Sequence, residues 1–335
     1  ERSLQADTGL ALCLDSQSAL REDLRILVMS ATLDGAAVAR LLGDAPLLTS
    51  AGRSYPVAIH YRPPVTPRTP AGQLSYESVV RVVQEALREE SGSVLVFLPG
   101  TGEIRRLETA LQTAGLAPDV RVVPLYGQLD ARAQDAAIQP PPAGIRKVVL
   151  ATGIAETSLT IEGIRVVVDA GLARVPRFDP NSGLTHLVTL PVSQAAADQR
   201  RGRAGRLEAG VCYRLWSEHL HLQSHSAPEI LEADLAPLLL ELASWGVRDS
   251  AQLRWLDQPP AGHIAQASDL LQQLGALDAA GQITAQGRAM LEFGTHPRLA
   301  HMMLRGEELG LGVLACELAA LLGERDPLAR AQVGD

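Results

Sequence analysis

Lysine is almost missing from this chain: among 335 residues and 30 Lys plus Arg, the one lysine is Lys147. A P-loop needs G-x-x-x-x-G-K-[ST]. Lys147 lies instead in Ile145-Arg146-Lys147-Val148-Val149, so the chain has no P-loop. Aromatic residues make up 3%, which disfavours platforms that stack nucleic-acid bases. Net charge is −8, so no global basic field exists and any contact with nucleic acid must come from a local groove. The three cysteines, Cys13, Cys212 and Cys316, are far apart and form no C-x-x-C. That excludes a disulfide framework and a zinc ribbon, and fits a reduced, cytoplasmic protein. His219, His221 and His225 lack a completing Cys or carboxylate pair, so no metal site is expected. No apolar run reaches the ~18 residues of a membrane span, and no signal-peptide pattern opens the chain. We find no internal repeat and no low-complexity segment.

What is there is enough apolar material, 46%, for two or three domains. Leucines at 4, 10, 12, 14 and 20 predict a helix over 4–20. Leu24–Met29 reads as a buried parallel strand leaving into Ser30-Ala31-Thr32, followed by a small helix over 34–42. Residues 53–70, with five prolines, read as an extended linker. Helices over 75–90, 103–114 and 131–138 then alternate with apolar strands over 93–98, 120–125, 147–151 and 163–169. Such alternation predicts an α/β fold with a parallel sheet covered on both faces and ligands at the carboxyl ends of its strands. Segments 174–178 and 184–190 flank Asp179-Pro180-Asn181-Ser182-Gly183, a hairpin pattern. Past about 217 the pattern turns helical. Ile230–Trp245, Ile264–Leu274 and a small hairpin at 277–284 read as a winged helix, and Arg298–Leu322 as the start of a further helical domain.

The densest signal is Gln199-Arg200-Arg201-Gly202-Arg203-Ala204-Gly205-Arg206. Guanidinium forks hold phosphate oxygens by paired, charge-assisted hydrogen bonds. A random arginine cluster is a solvated basic turn, but the order Q-R-x-G-R-x-G-R resembles the last signature of helicases with two RecA-like domains. Ser30-Ala31-Thr32 resembles motif III of those proteins, and Val94–Gly102 resembles motif IV. Gly100 and Gly102 could also begin a dinucleotide fingerprint, but position 105 is Arg rather than the third Gly, and no first βαβ unit precedes it. Ala151–Ile161, rich in hydroxyl groups straight after a strand, resembles motif V. In this order the motifs resemble the DEAH family of ATP-dependent RNA helicases, and within it the bacterial HrpB type.

That resemblance implies a RecA-like second domain over 51–216, the remnant of a first over 1–50, a winged-helix-like domain over 217–285 and a helical, ratchet-like start over 286–335. Glu1-Arg2-Ser3 resemble the residues after the D-E-x-H box. The chain is therefore expected to be the C-terminal portion of a longer protein, shortened at its far end too, and inactive without the P-loop domain. ATP with Mg²⁺ is the implied cofactor and RNA, single-stranded or duplex with an overhang, the implied partner. Arg203 and Arg206 match the arginine fingers, and Gln199 the residue orienting the attacking water. Asp169 matches a position near the nucleotide ribose. Ile138 stands where relatives place an adenine-stacking aromatic, which implies tolerance of other nucleoside triphosphates. Gly153 stands where the family usually has Asn. Ser30, Ala31 and Thr32 would couple the domains. Gly100, Thr101, Thr152, Thr157 and Ser158 would hold RNA phosphates. Arg200 and Arg201 carry no role, and Arg201 reads as solvated. The hairpin over 172–190 would be either a duplex wedge or a plain β-ribbon. Two other functions remain open: a non-enzymatic nucleic-acid-binding segment, and a DNA motor on the same scaffold.

Overall fold

A computed structural model describes residues 2–30, 35–50, 55–64, 74–156, 160–179 and 183–323. Its strands are β1 Val57–Tyr61, β2 Ser93–Phe97, β3 Val120–Leu125, β4 Arg146–Ala151, β5 Ile164–Asp169, β6 Leu172–Asp179, β7 Leu184–Pro191 and β8 Gly210–Arg214. Its helices are α1 Leu4–Ala19, α2 Gly35–Leu41, α3 Tyr76–Glu89, α4 Thr101–Thr113, α5 Ala131–Ile138, α6 Gln194–Gly202, α7 Ala236–Trp245, α8 Ala261–Gln273, α9 Ala285–Glu292, α10 Pro297–Glu308 and α11 Gly312–Gly323. The chain divides into two compact units: Leu48–Arg177 with His186–Ser226, and Glu1–Leu47 with Phe178–Thr185 and Ala227–Asp335.

The first of these units holds a six-stranded sheet in the order β1-β8-β5-β2-β4-β3, with parallel pairings throughout. Central β2, Ser-Val-Leu-Val-Phe, is buried along its whole length. Its period of two splits the core. Val94 and Val96 pack with Val79, Val82, Val83 and Ala86 of α3 and with Ile104, Leu107 and Leu111 of α4. Leu95 and Phe97 face the opposite layer with Ala137 of α5, Ala155 and Ala204. The buried α3 positions recur at helical spacing, and its start is fixed by Ser75, whose hydroxyl accepts from the Ser78 N–H. Each fully buried Val or Leu contributes about 1.5–3 kcal/mol.

Two strands escape the sequence pattern, β1 at the sheet edge and β8 beside it. Residues 53–70 contain β1, paired in register with β8 from Val57↔Gly210 to Tyr61↔Arg214. The six residues between Pro56 and Pro63 present too short an apolar run to read as a strand, and proline tolerates an edge position. The strand expected at Leu24–Met29 is absent: that segment is non-strand, with Leu27 and Met29 exposed. A buried parallel strand needs neighbours to satisfy its backbone, and among the described residues no strand pairs with it.

Lys147, the lone lysine, is buried, and its ammonium donates to the carbonyls of Ala136, Ala137 and Gln139. It therefore caps the C-terminus of α5, where orphan carbonyls and the helix dipole favour a cation. Burial pushes its pKa down. Cys212 lies fully buried in β8, and burial pushes its thiol up to about 12, whereas Cys13 and Cys316 are exposed. Since the thiolate is the reactive form, two thiols are expected to alkylate in the native chain and the third only in denaturant. Mass spectrometry after iodoacetamide treatment checks this; rapid native labelling of Cys212 would contradict the packing of β8.

The other unit is helical. Ile230, Leu235 and the apolar residues of α7 pack with Leu253, Trp255, Leu271 of α8, Met290 of α9 and Ala300 of α10. α1 joins this core through Ala11, and Glu229 accepts from the Leu4 N–H at 2.7 Å, tying down the start of α1. Asp278 Oδ1 accepts from the N–H groups of Ala280 and Gln282, closing a turn that Leu277↔Ile283 bridges. Gly281 in that turn has φ +74°, a left-handed conformation suited to glycine. Helices α7 and α8 followed by this small wing give the helix, helix, hairpin order expected of a winged helix.

Candidate functional site

The site grows from the carboxyl ends of β2, β4 and β5 and from the end of α6. Ser193 starts α6 by accepting from the Ala196 N–H at 3.2 Å. Ala197 and Arg200, three residues apart, form the buried face of this short helix. Past Gly202 the chain continues in tight turns, with the N–H groups of Arg203, Ala204 and Gly205 bonding back three residues. Gly205 meets the entrance of β1: a Cβ there would stand 2.6 Å from the Tyr55 carbonyl oxygen. Gly202 faces open space.

The four arginines have different surroundings. Arg200 is buried at 1% exposure. Its Nη1 donates to Asp169 Oδ1 at 2.8 Å, and its Nε donates to Glu156 Oε1 at 2.7 Å. Its guanidinium also lies 5.0 Å from the ring centre of Phe97. The two carboxylates hold its pKa above the usual arginine value against the opposing effect of burial. Arg201 is half-exposed and pairs with Asp198 at 3.6 Å. Asp198 also accepts from Arg214 at 2.9 Å and from Gln194. Arg203 is buried, and its Nη2 donates to the Glu156 carbonyl. Burial and the neighbouring Arg206 push Arg203 down to about 10, with Glu156 opposing them, so it remains a cation at neutral pH. Arg206 is exposed and donates to Thr160 Oγ1. Gln199 is half-buried on the same helix.

Glu156 ends the turn that follows β4, where Thr152 leads into a 3₁₀ turn over Gly153–Ala155. A Cβ on Gly153 would find its nearest atom, Glu156 Oε1, at 3.4 Å, so a side chain is sterically tolerated there. Asp169 ends β5 and has no exposed surface; its Oδ1 takes the Gly171 N–H as well as Arg200. The residue expected near a ribose is therefore covered, its carboxylate turned inward to the arginine.

Gly100 is the N-cap of α4, and Thr101 its first residue. A Cβ on Gly100 would collide with Arg174 Nη1, which belongs to the ion pair Arg174–Glu103 at 2.9 Å. Ile138 is half-buried at the end of α5. Ser30 is exposed and lies in the other unit. Ala31, Thr32, Thr157 and Ser158 lie outside the described residues. The structure thus joins the arginine run to the post-β4 turn through Arg203 and through Arg200, to which the sequence assigned no definite role.

Comparison with known proteins decides the family. The family "Helicase conserved C-terminal domain" matches residues 77–208, and "Helicase associated domain (HA2), winged-helix" matches residues 269–295. The ATP-dependent RNA helicase HrpB of Escherichia coli (strain K12) is 48% identical over 336 positions, covering all of this chain. The chain belongs to the HrpB-type helicases. A crystal structure of the Escherichia coli DEAH/RHA helicase HrpB superimposes with a TM-score of 0.88 at 50% identity, over 96% of this chain. A second, of the E. coli DExH-box NTPase HrpB, gives 0.84 at the same identity. This HrpB-type chain spans 41% of the length of the curated relative and 39–41% of the two crystallised chains. The α/β fold with a RecA-like sheet and a winged helix is borne out.

Proposed function

We propose that the protein to which this chain belongs couples hydrolysis of ATP to movement along RNA and to duplex unwinding. The arginine cluster at the end of α6 carries the reading: a run of guanidinium groups beside the exits of parallel strands, with Arg206 exposed. Its donor chemistry fits a polyphosphate. Arg203 and Arg206 would neutralise charge on the transferring phosphoryl group, and Gln199 would orient water against it. Magnesium-bound ATP would supply the phosphoryl group. Gly100, Thr101, Thr152, Thr157 and Ser158 would hold RNA phosphates through backbone and hydroxyl groups. Ser30, Ala31 and Thr32 would couple the domains, and Gly153 and Ile138 would lie near the nucleotide. Asp169 would serve the site indirectly, by holding Arg200. The division into 1–50, 51–216, 217–285 and 286–335 belongs to the same proposal.

Residues 1–335 alone are expected not to turn over ATP, because their one lysine caps a helix rather than a phosphate loop. The test is ATP hydrolysis by the full-length parent with and without RNA, beside the same assay with DNA. Stimulation by RNA supports the proposal, equal stimulation by DNA favours a nucleic-acid motor without sugar preference, and no stimulation by either contradicts both. Equal turnover of ATP, GTP and CTP would support the tolerance inferred from Ile138; strict dependence on ATP would refute it.

A further inference from the structure

Among the described residues Arg200 is the largest side chain buried below 2% exposure. Three segments meet on it: Glu156 after β4, Asp169 at the end of β5, and the Leu172 carbonyl in β6, which accepts at 3.2 Å. A charge at that depth is tolerated only with its partners in place. Glu156 is the shared element. Its side chain takes Arg200, and its main-chain carbonyl takes Arg203. The Gly153–Glu156 turn cannot shift without disturbing both arginines.

We propose that Arg200 is a positioning residue that sets the side chain of Arg203 through Glu156. Arg200 is sealed from solvent, so it acts by fixing the backbone on which Arg203 rests. The inference depends on the reading of Arg203 as a phosphate-facing finger. It predicts that the two arginines work as one functional pair, linked through Glu156 as well as by the Arg203 N–H, which donates to the Arg200 carbonyl at 3.1 Å.

The decisive experiment is a double-mutant cycle in the full-length parent: wild type, R200K, R203A and R200K/R203A, assayed for RNA-stimulated ATP hydrolysis. Lysine keeps the charge but cannot fork between two carboxylates. R200K is expected to lower kcat about tenfold or more with KM for ATP within about twofold, and to slow R203A no further. Independent, multiplicative slowing in the double variant would overturn the proposal while sparing the finger reading. Wild-type kcat in R200K would overturn it too. Wild-type turnover in R203A would overturn the finger reading and the proposal together. E156Q is the second probe, should R200K melt early: it keeps the carbonyl and a neutral acceptor but loses the charge. It is expected to lower kcat and to be silent on the R203A background; additivity there would overturn the proposal equally.

Discussion

Arg206→Ala in the full-length parent lowers RNA-stimulated ATP turnover by about 10³-fold or more while leaving the melting temperature within a degree or two. Two arginines of one motif differ in burial, Arg203 being buried and Arg206 exposed. Arg206 is exposed and bonded to Thr160 Oγ1. Surface side chains with one solvent-screened contact contribute little to folding. Whatever Arg206 contributes is thus available for a ligand, and a cation meeting phosphoryl charge in a closed cleft is worth several kcal/mol in the transition state. Arg203→Ala removes a buried side chain and its bond to Glu156, so it should cost activity and stability together. Burial and Arg206 already disfavour the Arg203 cation. An anion arriving between the two would relieve that repulsion, and Arg206→Ala removes this gain as well. The measurement is kcat and KM for ATP at saturating RNA, with thermal melts alongside. Wild-type kcat in Arg206→Ala would reduce the cluster to an RNA-binding or structural surface.

The sheet was legible where its physics is simple. Continuous apolar runs between helical patterns, such as Ser93–Leu98 and Lys147–Ala151, read as strands buried on both faces, and β2 and β4 lie there. β1 and β8 were not legible: each is only five residues long, and β1, at the sheet edge, is bracketed by prolines. Leu24–Met29 shows the converse: an apolar run needs a neighbouring strand, which no local pattern reveals. In the site, the motif order pointed to Arg203 and Arg206 but passed over Arg200. A signal was present. Ala197 and Arg200 lie three apart on a helix with one buried face, and Asp169 ends a strand that must be buried. A carboxylate in that position requires a cation, and Arg200 was the candidate on the inward face. Matching by motif supplies chemistry already known for relatives; counting buried charges finds the residues that hold that chemistry in place.

That counting leads to the largest expected loss of stability. Asp169→Leu in the present chain should destabilise the sheet-bearing unit by about 3–5 kcal/mol, the cost of stranding a buried ion whose partner is removed. For a unit of this size the corresponding fall in melting temperature is roughly 10 °C. Glu156→Gln should cost less. The Glu156 side chain keeps 20% of its exposure against none for Asp169, so water can compensate there and not at Asp169. The double change Asp169→Leu/Arg200→Leu should recover part of the loss, because replacing both members of a buried pair by apolar groups avoids the unpaired charge. The order of melting temperatures is the test: wild type highest, then Glu156→Gln, then the double variant, with Asp169→Leu lowest. If Asp169→Leu melts with the wild type, Arg200 is not held in a dry site. A double variant less stable than Asp169→Leu would mean that Arg200 stabilises through its contacts with Glu156, Leu172 and Phe97 more than it costs in charge burial.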